Sequence, residues 1–430
     1  MSNRRAESLR SFLMQVRHCA GVDLGFVLWD GTTVPDGLPS ESLAIWIADE
    51  GVIAALIRRP KLDTIINLWA TARLDIRNGN ILDVANSRPK IRTKEIWRSF
   101  DKKLALLLAA RFLFVPRGGP WPLSSVANKP TSDGSAARNK ENIAYHYDLS
   151  NEFYALFLDP EMLYSCGYFT SWNNDLATAQ KDKLDIICRK LRLKPGERLL
   201  DIGCGWGGLS CYAAQHFGVH VHGLTLSEQQ YNYVVSKVAR LGLGEMVTVQ
   251  LADYTAVEGQ FEKIAQIEMF EHVGIANHPT FFRLVHRALK PGGLYLHQAT
   301  TRPAKRDDRY FRKRPDEYAA ITRYIFPGGE LDHIGMTAAN LQRFGFEVLD
   351  VEALREHFAR TFRLWHRQLL TNSDAAEREV GQARARVWLA YLAGVTLAFE
   401  RGSALSFQTL AAKRVRSLTE GPPTRADLYR

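Results

Sequence analysis

Apolar and polar positions along this chain change period several times, and each change marks an element. Leu199, Leu200 and Ile202 form a short apolar run suited to a strand buried on both faces. Gly203, Gly205, Gly207 and Gly208 follow at once. Residues 209–217 then repeat at helical spacing, and residues 219–224 read as a second strand. This is a βαβ unit whose first turn lets a ligand lie against bare backbone. Upstream, residues 175–191 read as a helix. Downstream the alternation continues with a helix over 231–241, strands over 247–251 and 261–267, a helix over 280–289, a Lys290-Pro291-Gly292-Gly293 turn and a strand over 294–298. The pattern predicts an α/β doubly wound, Rossmann-like sheet. Ligands in such sheets bind beyond the carboxyl ends of the strands, where Asp201, Asp253, Glu268, Glu271 and His297 converge.

The flanks read differently. Residues 1–115 suggest a smaller α+β domain, with a strand near 43–47, helices over 51–58 and 62–71, and a strand near 72–76. An Asn78-Gly79 hairpin-type turn is then followed by a strand-like 81–84. Residues 116–140 are rich in Pro, Gly, Ser and Asn without apolar periodicity, as expected of a linker. The sheet domain is expected to run over 141–418, with a tail at 419–430. Aromatics crowd residues 142–169 (Tyr145, Tyr147, Phe153, Tyr154, Phe157, Tyr164, Tyr168, Phe169), either as a packed amphipathic helix or as a lid over a ligand. Residues 344–349 start a hairpin-like strand, residues 377–401 read as one long helix and residues 403–418 as another. Pro422-Pro423 is expected to end the ordered part.

Composition narrows the class. The chain has 430 residues and a net charge of +10, which suits nucleic acid, an anionic membrane or simple solubility. Five cysteines without metal spacing argue for a reducing compartment, with neither a disulfide framework nor a bound metal. The basic N-terminal stretch lacks a signal-peptide core, and no apolar run approaches ~20 residues. A cytoplasmic protein, peripheral on the inner face of a membrane, is the expectation. Residues 302–323 carry eight basic and four acidic side chains among Tyr310, Phe311 and Tyr318. Such a run is either a solvated face or a surface for lipid phosphates.

The glycine loop favours S-adenosylmethionine over a dinucleotide. Asp201 would repel a pyrophosphate but suits a cationic amino acid end. The G-x-G-x-x-G spacing is imperfect, and no acid closes the second strand. Thr225, Ser227, Gln229 and Gln230 offer neutral hydrogen-bonding groups there instead, and Asp253 could accept from an adenine amino group.

From residue 142 to about 408 the chain resembles the cyclopropane-fatty-acyl-phospholipid synthases and the mycolic-acid cyclopropane synthases, which are class I S-adenosylmethionine-dependent methyltransferases. The matching blocks are YHYDLSNEFYALFLDPEMLYSCGYF, LLDIGCGWGGL, GLTLSEQQ, EMFEHVG, RYIFPGGEL and the helical region from Trp365 to Phe399. The resemblance implies a class I methyltransferase sheet with a helical lid, and an N-terminal domain for lipid handling and assembly. It implies methylene transfer to the cis double bond of unsaturated phospholipid acyl chains, an anionic membrane surface as partner, and a homodimer as one assembly. The methylated alkene becomes a carbocation, from which bound bicarbonate removes a proton. The positions matching that base site are Cys166, Glu271 and His297, with Ala299 and Phe358 alongside. Cofactor contacts carry over to Tyr164, Ser165, Leu200, Asp201, Gly203, Cys204, Gly205, Gly207, Thr225, Leu226, Ser227, Gln229, Gln230, Asp253 and Tyr254.

Two positions depart from the family. Val395 stands where many members have Cys, and Phe358 where Tyr is common. Without the Tyr hydroxyl the base is held less firmly and the cation lives longer, which allows a methyl-branched or methylene chain as product. A methyltransferase for soluble small molecules and a lipid-binding relative without chemistry are the competing readings. Nucleic-acid methylation lacks its Asn-Pro-Pro-Tyr motif after the fourth strand, where Glu268-Met269-Phe270-Glu271 stands.

Overall fold

The computed structural model describes residues 2–87, 95, 98–121, 149–313, 315–417 and 421–429. The chain divides into two compact units, one of residues 1–128 and 380–393, the other of residues 129–379 and 394–430. Most of the linker and the first part of the aromatic segment lie outside the described residues.

The first unit is α+β, as its pattern predicts. Its four-stranded sheet runs β2-β1-β3-β4, from β1 (Gly25–Val27), β2 (Thr33–Val34), β3 (Ala44–Ile47) and β4 (Leu74–Arg77). β1 and β3 are parallel and the other pairs antiparallel. Helices Ser2–Ala20, Glu50–Arg58 and Lys102–Phe112 close a core of Leu9, Leu28, Val34, Val52, Leu68 and Phe112. The expected strand at 81–84 is instead the helix Ile81–Asn86. The Asn80 side chain accepts from the Leu82 and Asp83 amides and Asp83 bonds back to Asn80, so a capping box overrides the hairpin signal. Residues 380–393, expected in the sheet domain, belong to this unit. Arg386 explains why: it donates to the Trp69 carbonyl at 2.6 Å and to Asp75 at 2.7 Å, and stacks on the Trp69 ring at 4.0 Å.

The second unit holds a seven-stranded sheet of order β10-β11-β9-β8-β5-β6-β7. Its strands are β5 (Arg198–Ile202), β6 (His220–Thr225), β7 (Val247–Leu251), β8 (Phe261–Ile267), β9 (Leu289–Thr301), β10 (Phe346–Ala353) and β11 (Leu405–Lys413). β5 to β9 pair in parallel, and β10 and β11 pair antiparallel at one edge. Alternate residues of β5 feed different cores: Leu199 packs with Ala213 and Val221, whereas Leu200 and Ile202 pack with Phe261, Phe281 and Val285. Both faces are therefore covered, as a parallel sheet requires.

Four expectations change here. Residues 405–413 form β11 rather than a helix, because ladders to β9 and β10 satisfy their backbone despite a helix-favouring Leu410-Ala411-Ala412. β10 and β11 do pair antiparallel, but through three intervening helices rather than a hairpin turn. The long helix over 377–401 is two helices, Ser373–Val380 and Gln382–Glu400, interrupted at Gly381 with φ +80°. The tail stays ordered past Pro422-Pro423. Leu428 is buried, Asp427 pairs with Arg192 at 2.6 Å, and Tyr429 and Arg425 both bond Asp350.

Candidate active site

β5 sits where the strand order reverses, with β6 on one side and β8 on the other, so the loops leaving these strands part and open a cleft. A cavity of about 1080 Å³, counting its open mouth, fills it. The glycine loop forms its floor. Gly203 has φ +81° and Gly205 φ +55°, and a Cβ on Gly203 would stand 2.8 Å from the Met269 side chain. Only glycine suits that turn and that approach.

Most of the expected cofactor contacts meet in this cavity: Tyr164, Ser165, Asp201, Gly203, Cys204, Gly205, Thr225, Leu226, Gln230, Asp253 and Tyr254 all line it. Their own bonds hold them in place. Asp201 accepts from Ser210 Oγ at 2.7 Å, and burial pushes its carboxyl up to about 6 against the Ser210 bond and the Lys183 charge. Thr225 Oγ1 donates to Gln230 Oε1 at 2.7 Å, and Asp253 accepts from the amide and hydroxyl of Thr255. The other four serve the frame. Leu200 is core, Gly207 starts the helix Gly208–Phe217, Ser227 caps the helix Glu228–Arg240 and Gln229 is exposed.

The five expected catalytic positions lie outside the cavity lining. Cys166 is buried, and its thiol faces the Gly167 and Leu354 carbonyls. Alternation along β9 turns His297 and Ala299 toward the Phe270 and Phe282 side of the sheet. His297 Nδ1 meets Tyr295 Oη at 2.9 Å, and burial lowers its imidazole to about 3. Glu271 accepts from the Thr300 amide at 2.5 Å. Its other oxygen is buried without a hydrogen-bond partner among the described residues, and its carboxyl is pushed up to about 7 by desolvation. Phe358 packs against Phe362 and Phe399, each at 4.7 Å.

Two charged groups that do line the cavity carried no assigned role. Lys183, on the helix Leu176–Lys190, is buried and donates to Ser165 Oγ at 2.7 Å. Burial lowers its pKa, while the charges of Glu268, Asp159 and Asp201 oppose that shift. Glu268 stands just past β8 with φ +54°, a backbone that costs a non-glycine residue about 1 kcal/mol or more. Its Oε1 accepts from Gln298 Nε2 at 2.9 Å and its Oε2 from the Cys166 amide at 3.2 Å. Desolvation first, then the neighbouring Glu271 charge, push Glu268 up to about 8. The aromatic segment is divided. Phe153, Tyr154 and Phe157 are fully buried packing residues, whereas Tyr164 lines the cavity and touches Tyr154 and Trp365.

A doubly wound sheet with an antiparallel edge, a glycine loop, and an acid at the end of its first strand define a class I S-adenosylmethionine-dependent methyltransferase. The family model of mycolic acid cyclopropane synthetase matches residues 134–409, and the chain belongs to that family. It is 42% identical over 294 residues to the "Probable fatty acid methyltransferase" of Pseudomonas putida, covering 67% of this chain and 74% of that one. It is 33% identical over 341 residues to the "Tuberculostearic acid methyltransferase UfaA1" of Mycobacterium tuberculosis, covering 76% of each. Among solved structures, the mycolic acid cyclopropane synthase CmaA1 complexed with SAH and CTAB superposes with a TM-score of 0.61 at 35% identity, covering 64% of this chain and 98% of that one.

Proposed function

We propose that this enzyme transfers the S-adenosylmethionine methyl group to the cis double bond of an unsaturated acyl chain in a membrane phospholipid. The observation that carries this reading is the character of the cavity wall beyond the glycine loop. Met162, Leu163, Tyr164, Ile267, Met269 and Val273 make it apolar and aromatic. A hydrocarbon gains about 25 cal/mol per Å² buried on such a wall, and an alkene, a weak nucleophile, needs mainly to be held in line with the methyl group.

Loss of a proton from the methylated cation gives a cyclopropane, the first reading. Loss after a hydride shift gives a methylene-bearing chain, the second. The second is favoured by Phe358, whose ring brings no hydroxyl to the base, and by the names of the two curated relatives. Both products are one CH2 heavier than the alkene. A saturated methyl branch carries two more hydrogens and needs a separate hydride donor.

The substrate is met at an anionic bilayer. In the first unit, the helix Lys102–Phe112 and the residues just after it expose Leu106 (70%), Leu107, Leu113 and Phe114 (89%), and Lys102 and Lys103 are exposed at the start of the same helix. Exposed apolar side chains with cations on the same helix suit an interfacial position. Among the described residues no helix is long and apolar enough to cross a membrane. Incubating the purified enzyme with S-adenosylmethionine and vesicles of cis-unsaturated phosphatidylglycerol tests the reading. Released fatty acids heavier by one CH2 support it; unchanged fatty acids contradict it.

A further inference from the structure

Resting on that reading, we propose that the carboxylate of Glu268 is the base that takes the proton from the methylated acyl chain, in place of a bound bicarbonate ion. Its position comes first. Glu268 lines the same cavity as the glycine loop, whereas the side chains of Cys166, Glu271 and His297 do not. Its φ of +54° is a conformation non-glycine residues seldom hold, and it falls on a residue just past β8 that lines the cavity.

The carboxylate is also built in. Gln408 Nε2 donates to Gln298 Oε1 at 2.8 Å, which leaves the Gln298 amide nitrogen to donate to Glu268 Oε1. The Cys166 amide donates to Oε2. Each oxygen is thus held by one rigid donor and keeps a lone pair spare, which is how a base is fixed before the substrate arrives.

Bicarbonate does not fit these residues. The Cys166 amide that the matching base site would offer is already bonded to Glu268. A further anion would lie beside two carboxylates, Glu268 and Glu271, and the Glu271 charge already opposes the ionisation of Glu268. Lys183 offsets part of that charge.

The step balances without another reagent. The alkene π pair forms the bond to the incoming methyl carbon while the sulfur–carbon pair stays on sulfur, leaving the charge on the neighbouring acyl carbon. Glu268 then takes a proton from the new methyl, and the released C–H pair closes the ring. After a 1,2-hydride shift, the same proton loss leaves a methylene group. Either way the carboxylate becomes a neutral acid, the form its surroundings favour, and passes the proton to water before the next turnover.

The test uses the full chain, cis-unsaturated phospholipid vesicles and S-adenosylmethionine in carbon-dioxide-free buffer. The wild type should keep its rate there, and added bicarbonate should leave it unchanged. Glu268→Gln should lose about 100-fold or more in turnover while still binding S-adenosylmethionine by calorimetry. Glu268→Gly relieves the positive φ and opens room for a small anion, so bicarbonate should restore part of its rate. A Glu268→Gln enzyme as fast as the wild type would overturn the assignment, and so would a wild type that stops when bicarbonate is removed. A wild type that methylates no acyl chain in either buffer would overturn the substrate reading instead.

Discussion

Two carboxylates three residues apart have different surroundings. Glu268 lines the cavity and has a donor on each oxygen; Glu271 accepts from the Thr300 amide on one oxygen, and its other is buried without a partner among the described residues. The Glu271 charge holds the Glu268 pKa up, so Glu271→Gln should lower it. A base works ionised, and activity rises with pH through its pKa. The acid limb of kcat/KM should therefore move to lower pH in Glu271→Gln, and pH–rate profiles of both proteins check this. An unmoved limb would separate the two residues. Phe358→Tyr should bury a hydroxyl among Phe362, Trp365 and Phe399 and cost about 1–3 kcal/mol, readable as a lower Tm. Asp201, Gly203, Gly205, Thr225, Gln230 and Asp253 were legible in the sequence because one local pattern carries most of them. Lys183 and Gln298 were not, since a helix and a strand far apart in sequence bring them to Glu268. Glu268 itself was visible at a strand end, but its positive φ is a backbone angle that no apolar pattern encodes.

At the scale of elements, the helix Lys102–Phe112 is the piece most open to test. Leu106→Asp with Phe114→Asp adds charge to two exposed positions, so the fold should hold while vesicle binding falls. Cosedimentation with phosphatidylglycerol vesicles measures it, and raised salt should weaken wild-type binding too. Equal binding by the double variant would place the membrane contact elsewhere. The parallel strands and their crossover helices were legible because apolar runs bounded by glycine and proline set them. β11 was misread because Leu410-Ala411-Ala412 favours a helix locally, and two ladders decide otherwise. The helix Ile81–Asn86 was misread because Asn80 reads as part of a turn until its cap partners are known.

Across the whole molecule, the buried acids leave a mark on stability. Glu268, Glu271 and Asp332 are all held high, to about 8, 7 and 7, mainly by desolvation. A raised acid contributes stability fully below its unfolded value, and loses it as pH climbs through its folded value. The lowered His272, His278 and His297 act in the opposite sense, but below about pH 6.5. Tm of the ligand-free protein should therefore fall between about pH 6.5 and 8.5. S-adenosylmethionine, which brings a sulfonium charge, should raise it most at the upper end. Thermal scans across that range decide, and a Tm that rises with pH would contradict the assignment. The division into two units was legible from the Pro- and Gly-rich break. The return of residues 380–393 to the first unit was not, because Arg386 reads as one more basic position until Trp69 and Asp75 stand beside it. The central claim is methyl transfer to acyl double bonds. Its most direct measurement is gas chromatography with mass spectrometry of phospholipid fatty acids after expression in a host lacking its own synthase. New fatty acids one CH2 heavier than the host's unsaturated chains, resolved as ring or methylene isomers, are the predicted result; an unchanged fatty-acid profile would contradict it.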